Sequence, residues 1–127
     1  MADLPVLVVE GDLQLRSFIR VALSKADFRV LEAVDGTDAL SKLRDLEGKV
    51  GVLVSSYFLP QMDGSMLARH VKVQFPSVRI LLLCWEENAC QCHDCDAVLA
   101  KPFAPQDLVA TVRRLTRSKQ EDAAGCK

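Results

Sequence analysis

Pro5-Val6-Leu7-Val8-Val9-Glu10-Gly11-Asp12 is an unbroken apolar run that stops at an acid, a glycine and a second acid. Beyond it the pattern changes. Leu15, Phe18, Ile19, Ala22, Leu23 and Ala26 recur at the 3.6-residue period of a helix, and Asp12 suits its N-cap. The same switch from strand to helix repeats along the chain. Phe28 to Ala33 reads as a second strand. Asp35-Gly36-Thr37-Asp38 opens a helix carrying Ala39, Leu40, Leu43 and Leu46, which Gly48 ends. Val50 to Val54 is a third strand, Leu59 to Gly64 a loop, and a helix from about Ser65 to Gln74 is expected to turn Met66, Leu67, Val71 and Phe75 toward the core. Val78 to Leu83 and Ala97 to Ala100 complete five strands. A last helix starts near Pro105 and buries Leu108, Val109, Val112 and Leu115.

Five strands alternating with helices imply a parallel α/β sheet covered on both faces, because parallel strands need crossover connections. Right-handed crossovers narrow this to a doubly wound layer structure, whose working site lies at the carboxyl ends of the strands. Those ends are Glu10-Gly11-Asp12, Ser55-Ser56, Cys84-Trp85 and Lys101.

The chain has 127 residues, a common size for one domain with a real core; residues 1–117 are assigned to it and 118–127 to a polar, frayed tail. Half the residues are apolar, 26% are charged and the formal net charge is -1, which gives no basic field for nucleic acid. No apolar run approaches the roughly 20 residues of a membrane helix, and the first residues lack the regions of a signal peptide. The expected location is cytoplasmic. Of the five cysteines, Cys84, Cys90, Cys92 and Cys95 crowd one stretch and Cys126 lies near the end. Without a sign of secretion, reduced thiols are the neutral expectation.

At the strand ends the sequence resembles the receiver domain of two-component response regulators. Val8-Val9-Glu10-Gly11-Asp12 is similar to the acidic loop after the first receiver strand, and Leu59-Pro60-Gln61-Met62-Asp63-Gly64 to the Pro-x-Met-Asp-Gly loop after the third. Lys101-Pro102-Phe103 matches the Lys-Pro-Phe after the fifth, and Asp35-Gly36 with Ala39-Leu40 fits the opening of the second helix. The likeness covers about residues 4 to 116. It implies a flavodoxin-like sheet of order 2-1-3-4-5 and a signalling module in a phosphorelay rather than an enzyme.

The same resemblance marks what is missing. Receivers accept a phosphoryl group on an aspartate four residues before the loop proline; here that position is Ser56. The family's Mg²⁺-holding acid pair reads Glu10-Gly11, so Mg²⁺ binding is expected to be weak for an ion that wants several oxygens in octahedral array. The switch hydroxyl becomes Cys84, a weak donor, and the small residue after it becomes Trp85, large enough to cover or fill the site. The switch aromatic becomes Val98. Lys101 is retained, and an ion pair with Glu10 is its expected structural role. These replacements suggest a degenerate, phosphorylation-independent pseudo-receiver that works through a protein partner, such as a histidine kinase or a downstream signalling protein, as a monomer or weak dimer.

Between Cys84 and Lys101 the chain is shorter than in typical receivers, leaving about one turn around Glu86 to His93 for the family's fourth helix. Cys90-Gln91-Cys92-His93-Asp94-Cys95 stands there. Three readings remain open: bystander thiols, a redox pair closed between Cys92 and Cys95, or a zinc or iron–sulfur site using Cys90, Cys92 and Cys95 with His93 or Cys84. The last two make a redox or metal sensor on a receiver scaffold the alternative function. A phosphoacceptor using Ser55 or Ser56 is disfavoured by the broken acid pair. A thioredoxin-like oxidoreductase is disfavoured because its Cys-x-x-Cys follows an earlier strand. His70 reads as a surface residue.

Overall fold

The computed structural model describes residues 4–85 and 94–125, the stretch 118–125 as backbone only. Five strands and four helices alternate among these residues: β1 (Val6–Val9), α1 (Leu13–Lys25), β2 (Val30–Ala33), α2 (Gly36–Asp45), β3 (Val52–Ser56), α3 (Gly64–Gln74), β4 (Arg79–Cys84), β5 (Ala97–Ala100) and α4 (Pro105–Gly125). Every strand pairing is parallel, and the order is β2-β1-β3-β4-β5, as expected. The shortened helix expected between β4 and β5 falls on residues 86–93, outside the described residues.

Side chains alternate across the sheet, so β1, β3 and β4 each feed two cores. Leu7, Val9, Leu53, Ile80 and Leu82 meet α2 and α3 through Leu40, Leu43, Leu67 and Val71. Val6, Val8, Val54, Leu81 and Leu83 meet α1 and α4 through Ile19, Leu23, Leu108 and Val112. Each such leucine or valine contributes about 1.5–3 kcal/mol on burial. An aspartate starts each of the first three helices: Asp12, Asp35 and Asp63 accept from the backbone N–H groups of Gln14, Asp38 and Met66. Past α2 the chain reverses through Glu47 and Gly48, both at positive φ, with the Gly48 N–H on the Leu43 carbonyl at 2.8 Å.

Three local expectations are corrected. β3 runs to Ser56 rather than stopping at Val54, which puts both serines inside the sheet. Met66 is 49% exposed, because the cap at Asp63 sets the helix phase so that Leu67, Ala68 and Val71 face inward. The tail beyond Arg117 continues α4 to Gly125, where Lys, Gln, Glu and Ala are good helix formers. At the amino end of the sheet, Asp96 accepts from the Ile80 N–H at 2.7 Å and pairs with Lys72 at 3.1 Å and Arg79 at 3.5 Å. That knot ties β5 to α3 and β4 and leaves the opposite end for the site.

Candidate functional site

Parallel register brings the carboxyl ends of four strands side by side: Val9 lies opposite Ser55, Ser56 opposite Leu83, and Cys84 opposite Ala100. Glu10 follows β1, Ser56 ends β3 and Lys101 follows β5, so the three side chains converge. The Ser56 hydroxyl donates a hydrogen bond to Glu10 Oε1 and accepts one from Lys101 Nζ at 3.0 Å. Lys101 Nζ also lies 3.5 Å from Glu10 Oε1. The second carboxylate oxygen, Oε2, accepts from the Asp12 N–H at 2.9 Å.

The expected Glu10–Lys101 ion pair is therefore present, but it is more enclosed than strand ends suggest. Both side chains are 9% exposed and Ser56 is 1% exposed. Such burial is tolerated only because each polar atom has a partner; among the described residues no buried side-chain nitrogen or oxygen lacks one. Arg16 of α1 holds the floor: its guanidinium donates to the Glu10 carbonyl at 2.8 Å and to Glu32 at 2.9 Å.

The β3–α3 loop is pressed against Ser56 by Gly64, whose N–H donates to the Tyr57 carbonyl at 2.6 Å. A Cβ at Gly64 would sit 2.7 Å from the Ser56 carbonyl oxygen and 2.9 Å from Tyr57 Cα, so only glycine allows that approach. Gly11 differs. Its nearest neighbour would be the Val34 carbonyl oxygen at 3.5 Å, an ordinary contact.

Trp85 does not fill the site. It is 61% exposed, and Lys101 Nζ lies 5.3 Å from its ring centroid, so the indole stands over the ammonium as a partial cover. Val98 is half-buried on β5 opposite Leu82. His70 is exposed on α3, as expected.

Cys84 departs from the expectation of reduced thiols. It is 1% exposed and disulfide-bonded. Its carbonyl accepts from the Lys101 N–H at 2.6 Å. Cys95 is half-buried against the α2–α3 core. Cys90, Cys92 and His93 lie outside the described residues, so the proposed thiol cluster does too. Sequence reasoning missed the Ser56 bridge and the Cys84 bond. The bridge had one signal: a small hydroxyl flanked in the sheet by an acid and a lysine.

A doubly wound parallel sheet of order β2-β1-β3-β4-β5, with an acid, a hydroxyl and a lysine gathered at its carboxyl edge, defines a flavodoxin-like α/β domain. Comparison with known proteins gives the family. Residues 6–113 match the model of the response regulator receiver domain, and the chain belongs to that family. It is 30% identical to the response regulator receiver protein CpdR of Brucella abortus, over 87% of this chain and 94% of that protein. It is likewise 30% identical to the sensor kinase CckA of the same organism, but spans only 12% of that kinase. Among solved structures, the chemotaxis response regulator CheY4 of Vibrio cholerae superposes with a TM-score of 0.77 at 27% identity, covering 90% of this chain and 99% of that one. A signal receiver domain from Pseudomonas fluorescens shares the fold at a TM-score of 0.86 and 24% identity, over 98% and 95%. No described helix is long and apolar enough to cross a membrane.

Proposed function

We propose that this chain is a pseudo-receiver: a two-component signalling module of the cytoplasm that acts by binding a protein partner and does not depend on phosphorylation. The observation that carries this reading is the Ser56 hydroxyl, held between Glu10 and Lys101 where the family places its phosphoacceptor aspartate. Phosphoryl transfer to a receiver needs a carboxylate that attacks phosphorus. Ser56 offers a hydroxyl 1% exposed, and the lysine that would meet a phosphoryl oxygen is already paired with a carboxylate.

The donor set does not fit Mg²⁺. Gly11 contributes no side-chain oxygen, and both oxygens of Glu10 are engaged, one of them beside an ammonium. An ion that demands octahedral oxygen coordination would have to displace Lys101 and Ser56 together. The partner is a histidine kinase or a downstream signalling protein, and the chain acts without chemistry of its own.

A Mg²⁺ titration followed by tryptophan fluorescence tests the reading, since Trp85 is the sole tryptophan and covers Lys101. The wild-type signal is expected to stay flat. Ser56→Asp alone also stays flat. Ser56→Asp combined with Gly11→Asp, for which Gly11 has room, gains a saturable response. Saturable binding by the wild type at the concentrations that serve the double variant would overturn the proposal.

A further inference from the structure

Two aromatic side chains stand in solvent where β3 and β4 leave the sheet. Ser56 lies opposite Leu83, and two residues further along each segment come Phe58 and Trp85. The Tyr57 N–H donates to the Leu83 carbonyl at 2.9 Å, which keeps the two segments side by side as they leave. Phe58 is 65% exposed and Trp85 61%, and neither joins either core. Tyr57 backs Phe58 edge-on with ring centroids 5.1 Å apart, and Leu13, the first residue of α1, is 64% exposed. The unpaired charge around this shelf has one sign. Asp12 and Asp63 cap α1 and α3, and Asp35 caps α2, whose Gly36 packs against Met62, the neighbour of Asp63. Among the described residues none of these three aspartates is in an ion pair, whereas Lys101, Arg16 and Lys42, which reach this edge, are paired with Glu10, Glu32 and Asp38.

We infer that this shelf docks a basic amphipathic segment of a protein partner: its apolar side chains cover Phe58, Trp85 and Leu13, and its Lys or Arg side chains meet Asp12, Asp35 and Asp63. Large aromatic side chains are the commonest anchors of protein interfaces, and unpaired charge of one sign around them selects a partner of the other. Charge also decides among the occupants. A nucleic acid or an anionic lipid surface would bring its phosphates against the carboxylates. A second copy docked shelf to shelf would set the same carboxylates against one another, because a two-fold interface pairs a patch with itself. A basic segment instead neutralises them. Trp85 turns one side of its ring to the Lys101 ammonium, 5.3 Å from the centroid, and is still 61% exposed, so a docked segment completes the cover over Glu10, Ser56 and Lys101. The inference rests on the protein-binding reading given above and adds the chemistry of the partner.

Two dye-labelled helical peptides without tryptophan serve as probes. They share one leucine face and differ only at their polar positions, lysine and arginine in one and glutamate in the other. No Mg²⁺ or phosphodonor is added, so failure here leaves phosphorylation independence standing, and the reverse. Fluorescence anisotropy with the full chain is expected to show saturable binding of the basic peptide, weakened by added salt. The glutamate peptide should bind at least about tenfold more weakly. Trp85 emission should change as the basic peptide saturates. Phe58→Ser and Trp85→Ala each weaken binding by about tenfold or more. Asp12→Asn and Asp63→Asn keep a capping oxygen but remove the charge, so binding and its salt dependence fall while the melting temperature stays near that of the wild type. Val73→Ala, at a 77% exposed position on α3, leaves binding unchanged. Absence of saturable binding, equal binding of the two peptides, or binding that survives Phe58→Ser combined with Trp85→Ala would overturn the inference. So would self-association of the chain alone, seen by sedimentation and lost in the same double variant, which would assign the shelf to a second copy.

Discussion

At the scale of single residues, Glu10, Ser56 and Lys101 form one unit. Opposite charges at neighbouring strand ends made the Glu10–Lys101 pair legible in the sequence. The hydroxyl between them was not legible, because hydrogen-bond partners depend on a register that only the assembled sheet fixes. Removing one member of a buried pair strands the other and costs about 3–5 kcal/mol. With both side chains 9% exposed, Lys101→Met is expected near that range. Glu10→Gln keeps a hydrogen-bonding group but leaves the ammonium unpaired, and falls in the same range. The double variant should be more stable than the sum of the two single losses predicts, as measured by chemical denaturation in a double-mutant cycle. Strict additivity would mean that the pair does not couple.

For Trp85 the choice between covering and filling the site was not legible, for a related reason. Bulk can be read from sequence, but whether an indole turns into a pocket or over its rim cannot. At the rim it still meets Lys101, so Trp85→Ala removes a cation–π contact worth about 0.5–2 kcal/mol.

At the scale of elements, the number, type and order of strands and helices followed from apolar periodicity and the aspartate caps, whereas boundaries and helix phase were less legible. Val50 is as apolar as Val52 and fully buried, so periodicity could not say which begins β3. The glycines on the two site loops carry different constraints that sequence alone does not distinguish. Gly64→Ala drives a methyl into the backbone at Ser56 and Tyr57 and should cost about 1–3 kcal/mol, whereas Gly11→Ala should be close to neutral. Thermal melts of the two variants compare them directly, and equal losses would refute the proposed close approach at Gly64.

The start of α2 carries a pH dependence. The Asp38 carboxyl is held below its ordinary range, chiefly by the hydrogen bond from Lys42, then by the Val34 N–H and the charges of Lys42 and Arg16, with burial opposing. A carboxyl depressed in the folded state stabilises the fold above its unfolded pKa of about 3.9, and that contribution fades as pH falls through the folded value. Asp38→Asn should therefore melt below the wild type at neutral pH, with the gap narrowing once pH drops under about 4. Because the group is about one-third exposed, the gap corresponds to less than about 1 kcal/mol. A gap that widens in acid would reverse the assigned sign.

At the scale of the whole molecule, the receiver fold is retained, with Ser56 held between Glu10 and Lys101 at its carboxyl edge. Two full cores and the strand order keep the carboxyl edge assembled, and the site there is closed by its own side chains. Family likeness was legible because four short motifs fall in order at the strand ends. The cysteine-rich stretch was not, since spacing alone did not reveal that Cys84 is disulfide-bonded. The most direct measurement is intact mass spectrometry after incubation with acetyl phosphate and Mg²⁺. With a buried hydroxyl in place of the phosphoacceptor carboxylate and Lys101 already paired, the mass is predicted to stay unchanged. A stable gain of one phosphoryl mass, mapped to Ser56 or any residue of this edge, would contradict the account.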